Sequence, residues 1–205
     1  MKLNDSPQIN AQFWDELFTK GTMPWDRNST PEDLHQFLLA NGADAESETK
    51  PTVFIPGCGA GYEVVSFIKA DYQVTAMDYS LQAVNLAKQQ LGQYGDVVVH
   101  GDVFEAQFAS PFNVIYERAF LAALPREKWA DYFTMLERLL PSGGLLIGYF
   151  VISDDYRSRF PPFCLRSGEL TQWLSSSFNL LSCSRVEDSV AVFEDKEHWM
   201  VWQKK

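Results

Sequence analysis

Five short groups of residues in this chain are of the types that bind and react. The first is Pro56-Gly57-Cys58-Gly59-Ala60-Gly61, a G-x-G-x-G turn that follows the apolar run Thr52–Ile55. The second is Asp78, which ends the apolar run Tyr72–Met77 and stands 17 residues after Gly61. The third is Gly101-Asp102-Val103-Phe104 after Val97–His100, and the fourth is Glu117-Arg118 after Phe112–Tyr116. The fifth is aromatic: Phe13, Trp14, Phe18 and Trp25 near the N-terminus. Glycines let a backbone turn tightly and approach a ligand with no Cβ in the way. A helix N-terminus after such a turn offers free N–H groups to an anionic part of that ligand. An acid at the end of the next strand accepts hydrogen bonds from both ribose hydroxyls. Gly57, Gly59, Gly61 and Asp78 therefore describe a site for an adenosine-containing cofactor, with Tyr79 beside the acid. Asp102 and Val103 are expected at the adenine edge, with Phe104 next to them.

Spacing narrows the cofactor. A dinucleotide fingerprint reads G-x-G-x-x-G. Here the third glycine comes one residue early and Tyr62 stands in its place. No lysine of the G-x-x-x-x-G-K-[ST] type follows, which argues against a P-loop. The G-x-G-x-G form resembles motif I of class I S-adenosylmethionine-dependent methyltransferases. Trp14 and Phe18 are four apart and share a helix face. Such a stripe is ordinarily core, but a sulfonium cofactor gives it a second use, because aromatic faces attract a positive centre. An arm over the strand ends also excludes water. Arg118 keeps its charge throughout. It is expected over the reacting centre, as the catalytic residue that stabilises an anionic nucleophile.

These groups need a frame. Alternating strand and helix patterns predict an α/β, Rossmann-like sheet of seven strands, mostly parallel, with helices on both faces. The strands are expected at Thr52–Ile55, Tyr72–Met77, Val97–His100, Phe112–Tyr116, Leu145–Val151, Phe178–Val186 and His198–Gln203, the last two as an antiparallel C-terminal hairpin at the edge. Helices are expected over 61–70, 81–91 (with Ser80 as N-cap), 125–140 and 167–176. We expect one domain over 1–205: a helical arm over 1–40 that lies over the active site, a polar linker Asn41–Pro51, and a core over 51–205.

Composition excludes several classes. The formal net charge of −10 argues against binding nucleic acid through its phosphates. No apolar run approaches a membrane span, and Met1–Ser6 lacks the apolar region of a signal peptide. Cys58, Cys164 and Cys183 give neither a disulfide framework nor a metal spacing, and His35, His100 and His198 show no ligand pattern. We therefore expect a cytoplasmic monomer without metal. Cys58 reads as a small turn residue, and Cys164 as a thiol near the acceptor pocket.

The order Trp14-x-x-x-Phe18-x-x-Gly21-x-x-Pro24-Trp25-Asp26, Pro56-Gly57-Cys58-Gly59, Gly101-Asp102-Val103-Phe104, Glu117-Arg118-Ala119 and Pro161-Pro162-Phe163 resembles the thiopurine S-methyltransferase family, with its thiol and halide branch. The similarity covers nearly the whole chain. It implies S-adenosyl-L-methionine as cofactor, contacted by Trp14 and Phe18, with Trp25 where cofactor and acceptor meet. It also implies cofactor-site roles for Asp78, Asp102, Val103 and Arg118, and an acceptor pocket that includes Phe13, Trp25 and Phe163. Phe18 stands where many members have Trp. Arg118 is similar to the thiopurine-type members, whereas some plant halide/thiol enzymes have Tyr there. The implied reaction is methyl transfer to a small thiol or other sulfur acceptor. Halide, selenium or tellurium species and O/N acceptors are the alternatives. From another class come a non-catalytic binder of the cofactor and an NAD-dependent oxidoreductase.

Overall fold

The β-branched and apolar segments form one seven-stranded sheet in the order β3-β2-β1-β4-β5-β7-β6. The computed structural model describes residues 8–42 and 49–205; expectations for the N-terminal segment and for most of the linker lie outside the described residues. The strands are β1 (Thr52–Pro56), β2 (Gln73–Asp78), β3 (Val98–His100), β4 (Val114–Arg118), β5 (Leu145–Val151), β6 (Phe178–Arg185) and β7 (Glu197–Lys204). β1 to β5 pair in parallel. β7 runs antiparallel between β5 and β6, so β6 is the edge. Every expected strand is present, within a residue or two.

Side chains alternate across the central strands, and both faces there are apolar. Phe54, Ile115, Leu146 and Phe150 point into one layer. Val53, Ile55, Val114, Tyr116, Ile147 and Tyr149 point into the other. A sheet buried on both sides needs helices on both. α5 (Phe120–Ala123), α6 (Trp129–Leu139) and α7 (Glu169–Leu174) cover the first layer. α2 (Glu32–Asn41), α3 (Val64–Lys69) and α4 (Leu81–Leu91) cover the second.

The helices depart from expectation at their ends. The arm holds two helices. α1 (Ala11–Lys20) is capped by Asn10, whose side chain accepts from Phe13 N, and stops at Gly21. α2 starts only after Pro31. The helix expected from Pro125 begins with a 3₁₀ turn, Arg126–Lys128, before α6. α3 and α7 are shorter than expected, and Gly92–Val97 forms a 3₁₀ turn that periodicity did not mark.

The chain winds outward through β1, β2 and β3, then crosses to β4 and β5 on the other side of β1. The switch in direction falls between β1 and β4. Crevices for ligands open beyond the carboxyl ends of strands at such a point. Gly57 follows β1 and Arg118 ends β4.

Candidate functional site

A cavity of about 940 Å³ lies over this switch point. That is near the upper end of the range of roughly 300–1,000 Å³ usual for small-molecule sites. Its floor comes from the strand ends: Gly57 and Gly59, Asp78 and Tyr79, Asp102 with Val103 and Phe104, and Arg118. Its cover comes from the arm through Phe13, Trp14, Phe18 and Trp25, and its far side from Pro161, Pro162 and Phe163. The Phe163 N–H donates to Ala122 O at 2.7 Å, which ties that loop to α5.

Of the residues expected to bind cofactor or acceptor, only Gly61 is not among those that line the cavity. Its φ is +74°, and an added Cβ would sit 3.3 Å from both Ala87 and Leu91. Its lack of a side chain lets the turn pack on α4. At Gly57 an added Cβ would sit 2.2 Å from Phe120 Cδ2, so this turn needs glycine to admit the Phe120 ring.

Asp78 is 7% exposed and engaged through both oxygens. Gly59 N donates to Oδ2 at 3.0 Å, and Ser80 N donates to Oδ1 at 2.9 Å. The acid thus pins the glycine turn to the end of β2. Each carboxylate oxygen has a second lone pair for a ligand hydroxyl. Burial raises its pKa, against the two backbone N–H groups that lower it. Asp102 also has a structural duty, since its Oδ1 accepts from Phe104 N at 2.9 Å. Burial pushes the Tyr79 phenol up to about 12, so it stays protonated. His100 contacts Tyr79 O through Nε2 at 3.1 Å.

The arm aromatics meet edge to face. Trp14 and Trp25 have ring centroids 5.4 Å apart, and Phe18 and Trp25 6.1 Å apart. Edge-to-face pairs hold one another's orientation, which fixes the faces that line the cavity.

Arg118 lies between two carboxylates. Its Nη1 is 3.8 Å from Glu63 Oε1, and its Nε is 3.9 Å from Glu197 Oε1. Both contacts exceed hydrogen-bond length. Nε and Nη2 are buried without a hydrogen-bond partner among the described residues. Burial raises the pKa of both glutamates, opposed by Arg118 itself. Sequence reasoning missed this pair. Glu63 directly follows the glycine turn and was visible as an acid there. Glu197 comes from the far end of the chain, and no local pattern marks it.

Cys58 is shielded, and burial, then Asp78 and Glu63, push its thiol well up, which suits a turn residue and not a nucleophile. Cys164 is buried beside the cavity and does not line it.

Residues 9–205 match the family described as thiopurine S-methyltransferase (TPMT). The chain belongs to the thiopurine S-methyltransferase family. Among its relatives is a probable thiol methyltransferase 2 of Arabidopsis thaliana, 28% identical over 73% of this chain and 66% of the relative. A thiopurine S-methyltransferase of Vibrio atlanticus is 25% identical over 80% of each chain. Thiocyanate methyltransferase 1 of Arabidopsis thaliana is 25% identical over 93% of this chain and 84% of the relative. The fold matches magnesium protoporphyrin IX methyltransferase from Synechocystis with bound S-adenosylmethionine, at TM-score 0.72 and 15% identity over the whole of both chains. It also matches a Burkholderia thailandensis N1-methyltransferase with bound S-adenosylhomocysteine, at TM-score 0.74 and 17% identity over 96% of this chain and 88% of that one.

This member of the family is an S-adenosylmethionine-dependent methyltransferase. The residues present suit that cofactor. Its positive sulfonium would meet aromatic walls, its ribose would have an acid at the end of β2 within the same cavity, and the glycine turn leaves the backbone bare. Among the described residues, no helix is long and apolar enough to cross a membrane.

Proposed function

We propose that the enzyme methylates a small, soft sulfur nucleophile. When bound, S-adenosylmethionine supplies an electrophilic methyl group. The chain's own residues bind, orient and shield. One observation carries the reading: the cavity lining combines a buried guanidinium that has unpaired donors with an absence, among the described residues, of any group poised to take a proton.

The lining holds no histidine among the described residues, and its acids are otherwise engaged or exposed. Asp78 is hydrogen-bonded through both oxygens, Asp102 closes a turn, and Glu127 stands exposed at the rim. An alcohol needs a base in the transition state. An alkyl thiol near pKa ~8.5 is already partly ionised at neutral pH. A buried cation raises that fraction further, so Arg118 replaces a base by stabilising the thiolate. Burial raises the pKa of Glu63 and Glu197, the two carboxylates beside the guanidinium, while Arg118 opposes that rise. The arm aromatics cover the cofactor and exclude water, and Phe13, Trp25 and Phe163 form the acceptor pocket. The names of the relatives, which include thiol, thiopurine and thiocyanate methyltransferases, support the same assignment.

Acceptors scored by release of S-adenosylhomocysteine test this reading. Alkyl and aromatic thiols should turn over, and so should an acceptor that is already an anion, such as thiocyanate. The matching alcohols and amines should be slower by about 10²–10⁴, the worth of the general base the site lacks. An alcohol or amine methylated as fast as its thiol analogue would overturn the assignment.

A further inference from the structure

We propose that Asp15 is the positioning residue that latches the arm over the cofactor site, and that its bond to Ser80 couples arm docking to Asp78. The inference rests on the arm being the cofactor's cover. α1 has no fully buried residue, so burial in the core does not fix where it sits. Its links to the strand ends include a side-chain hydrogen bond between Trp14 and Tyr79 and one carboxylate.

That carboxylate is Asp15. Its Oδ1 accepts from Ser80 Oγ at 2.6 Å and from Gln82 N at 3.1 Å. The first N–H groups of a helix have no partner within it. At α4 these groups are shared out across two elements. Ser80 Oγ accepts from Ala83 N at 3.1 Å, and the arm's Asp15 takes the N–H of Gln82. A negative charge is favoured at this end of a helix. Asp15 therefore completes the cap of α4 from a distant segment of the chain.

The bonds continue inward. Ser80, fully buried, donates its own N–H to Asp78 Oδ1, and Asp78 Oδ2 takes Gly59 N. One unbroken path of hydrogen bonds thus runs from the arm through Ser80 and Asp78 to the glycine turn. Asp15 is also close enough for its charge to add to the rise in the Asp78 pKa that burial causes. Trp14 precedes Asp15 on α1. Successive helical residues point about 100° apart, so seating Asp15 on α4 turns the Trp14 ring toward the cavity, where it lies. The other end of the arm has a separate tether, Arg27 Nη2 to Asp188 Oδ2 at 2.6 Å.

The test uses the full chain, Asp15→Ala and Asp15→Asn, with S-adenosylhomocysteine as the probe. Its affinity, the rate of tryptic cleavage after Lys20 and after Arg27, and the thermal midpoint are measured. Asp15→Ala should weaken binding about tenfold and speed cleavage after Lys20 about fivefold or more, and the probe should no longer protect that bond. Cleavage after Arg27, held by Asp188, should change less than twofold. Asp15→Asn keeps an acceptor oxygen and should stay within about threefold of the parent for binding. These fold-changes correspond to loss of one charge-assisted hydrogen-bonded contact. Affinity and Lys20 cleavage both within twofold of the parent for Asp15→Ala would overturn the latch. Faster cleavage with unchanged affinity would overturn the coupling and trace the failure to the arm's role as cover. A lowered midpoint with equal loss in both variants would overturn it as well, since a purely structural residue gives no rescue. None of these readouts uses a methyl acceptor, so they stand apart from the sulfur assignment.

Discussion

Glu117 shows how much a single residue at this site depends on its surroundings. It is fully buried, with Oε1 accepting from Leu121 N at 3.1 Å and Oε2 without a partner among the described residues. Burial raises its pKa to about 8, against the backbone N–H groups of Leu121 and Phe120. In the unfolded chain a glutamate titrates near ~4.3. Between these two values the folded protein holds a proton that the unfolded chain has released. Stability therefore falls as pH rises through this window and levels off above about pH 8. Glu117→Gln removes the titration and keeps the oxygen that takes Leu121 N. Its urea-unfolding free energy should gain on the parent between pH 5 and 8, by on the order of a few kcal/mol. Parallel pH profiles for the two proteins would show that Glu117 is ionised in the fold. Residues of this kind divide by how they can be read. Asp78 and Arg118 were legible because each follows an apolar strand, where side chains face the crevice. Asp15, Glu63 and Glu197 were not, because their partners lie far off in the chain and only the fold brings them together.

At the scale of elements, the arm is the piece most easily separated from the rest. α1 buries nothing fully, whereas α2 places Leu34 and Leu38 in the layer shared with β1 and α3. The boundary between cover and core therefore falls between the two helices, inside a segment expected to behave as one. Its aromatic spacing was legible, and so were Gly21 and Pro31, which end α1 and precede α2; that α2 alone reaches the core was not, because the partners of Leu34 and Leu38 come later in the chain. Deleting residues 1–26 should leave a sheet that unfolds cooperatively, because the central layers keep α2. It should bind cofactor poorly and lose turnover by about 10² or more, the scale at which misplacement of reacting groups is felt. Circular dichroism and turnover decide this. Full activity in the truncated protein would remove the arm from the site, and loss of secondary structure would make α1 part of the core.

The whole molecule depends on the opposite end of the chain. The sheet order was only partly legible: apolar runs gave seven strands and a C-terminal antiparallel pair, but pattern alone did not show which of the pair is inserted. β7 is the inner one, hydrogen-bonded to β5 along its length and to β6 on its other side. It belongs to both layers at once. Met200 and Trp202 enter one, and Trp199 and Val201 the other. All four are buried, and burying a large apolar side chain contributes about 1.5–3 kcal/mol. Together they approach the whole net stability of a domain, about 5–15 kcal/mol. Removing them also leaves β5 and β6 with unpaired backbone groups on facing edges, each costly away from water. A chain ending at Lys196 should therefore show no cooperative urea transition and should bind no S-adenosylhomocysteine, although every strand-end residue of the cofactor site is retained. Trp202→Ala alone should keep a transition and lower its free energy by about 3–5 kcal/mol. If the shortened chain still unfolds cooperatively, the cofactor half of the sheet folds without its C-terminal half, and the two apolar layers are not the joint structure that β7 makes of them.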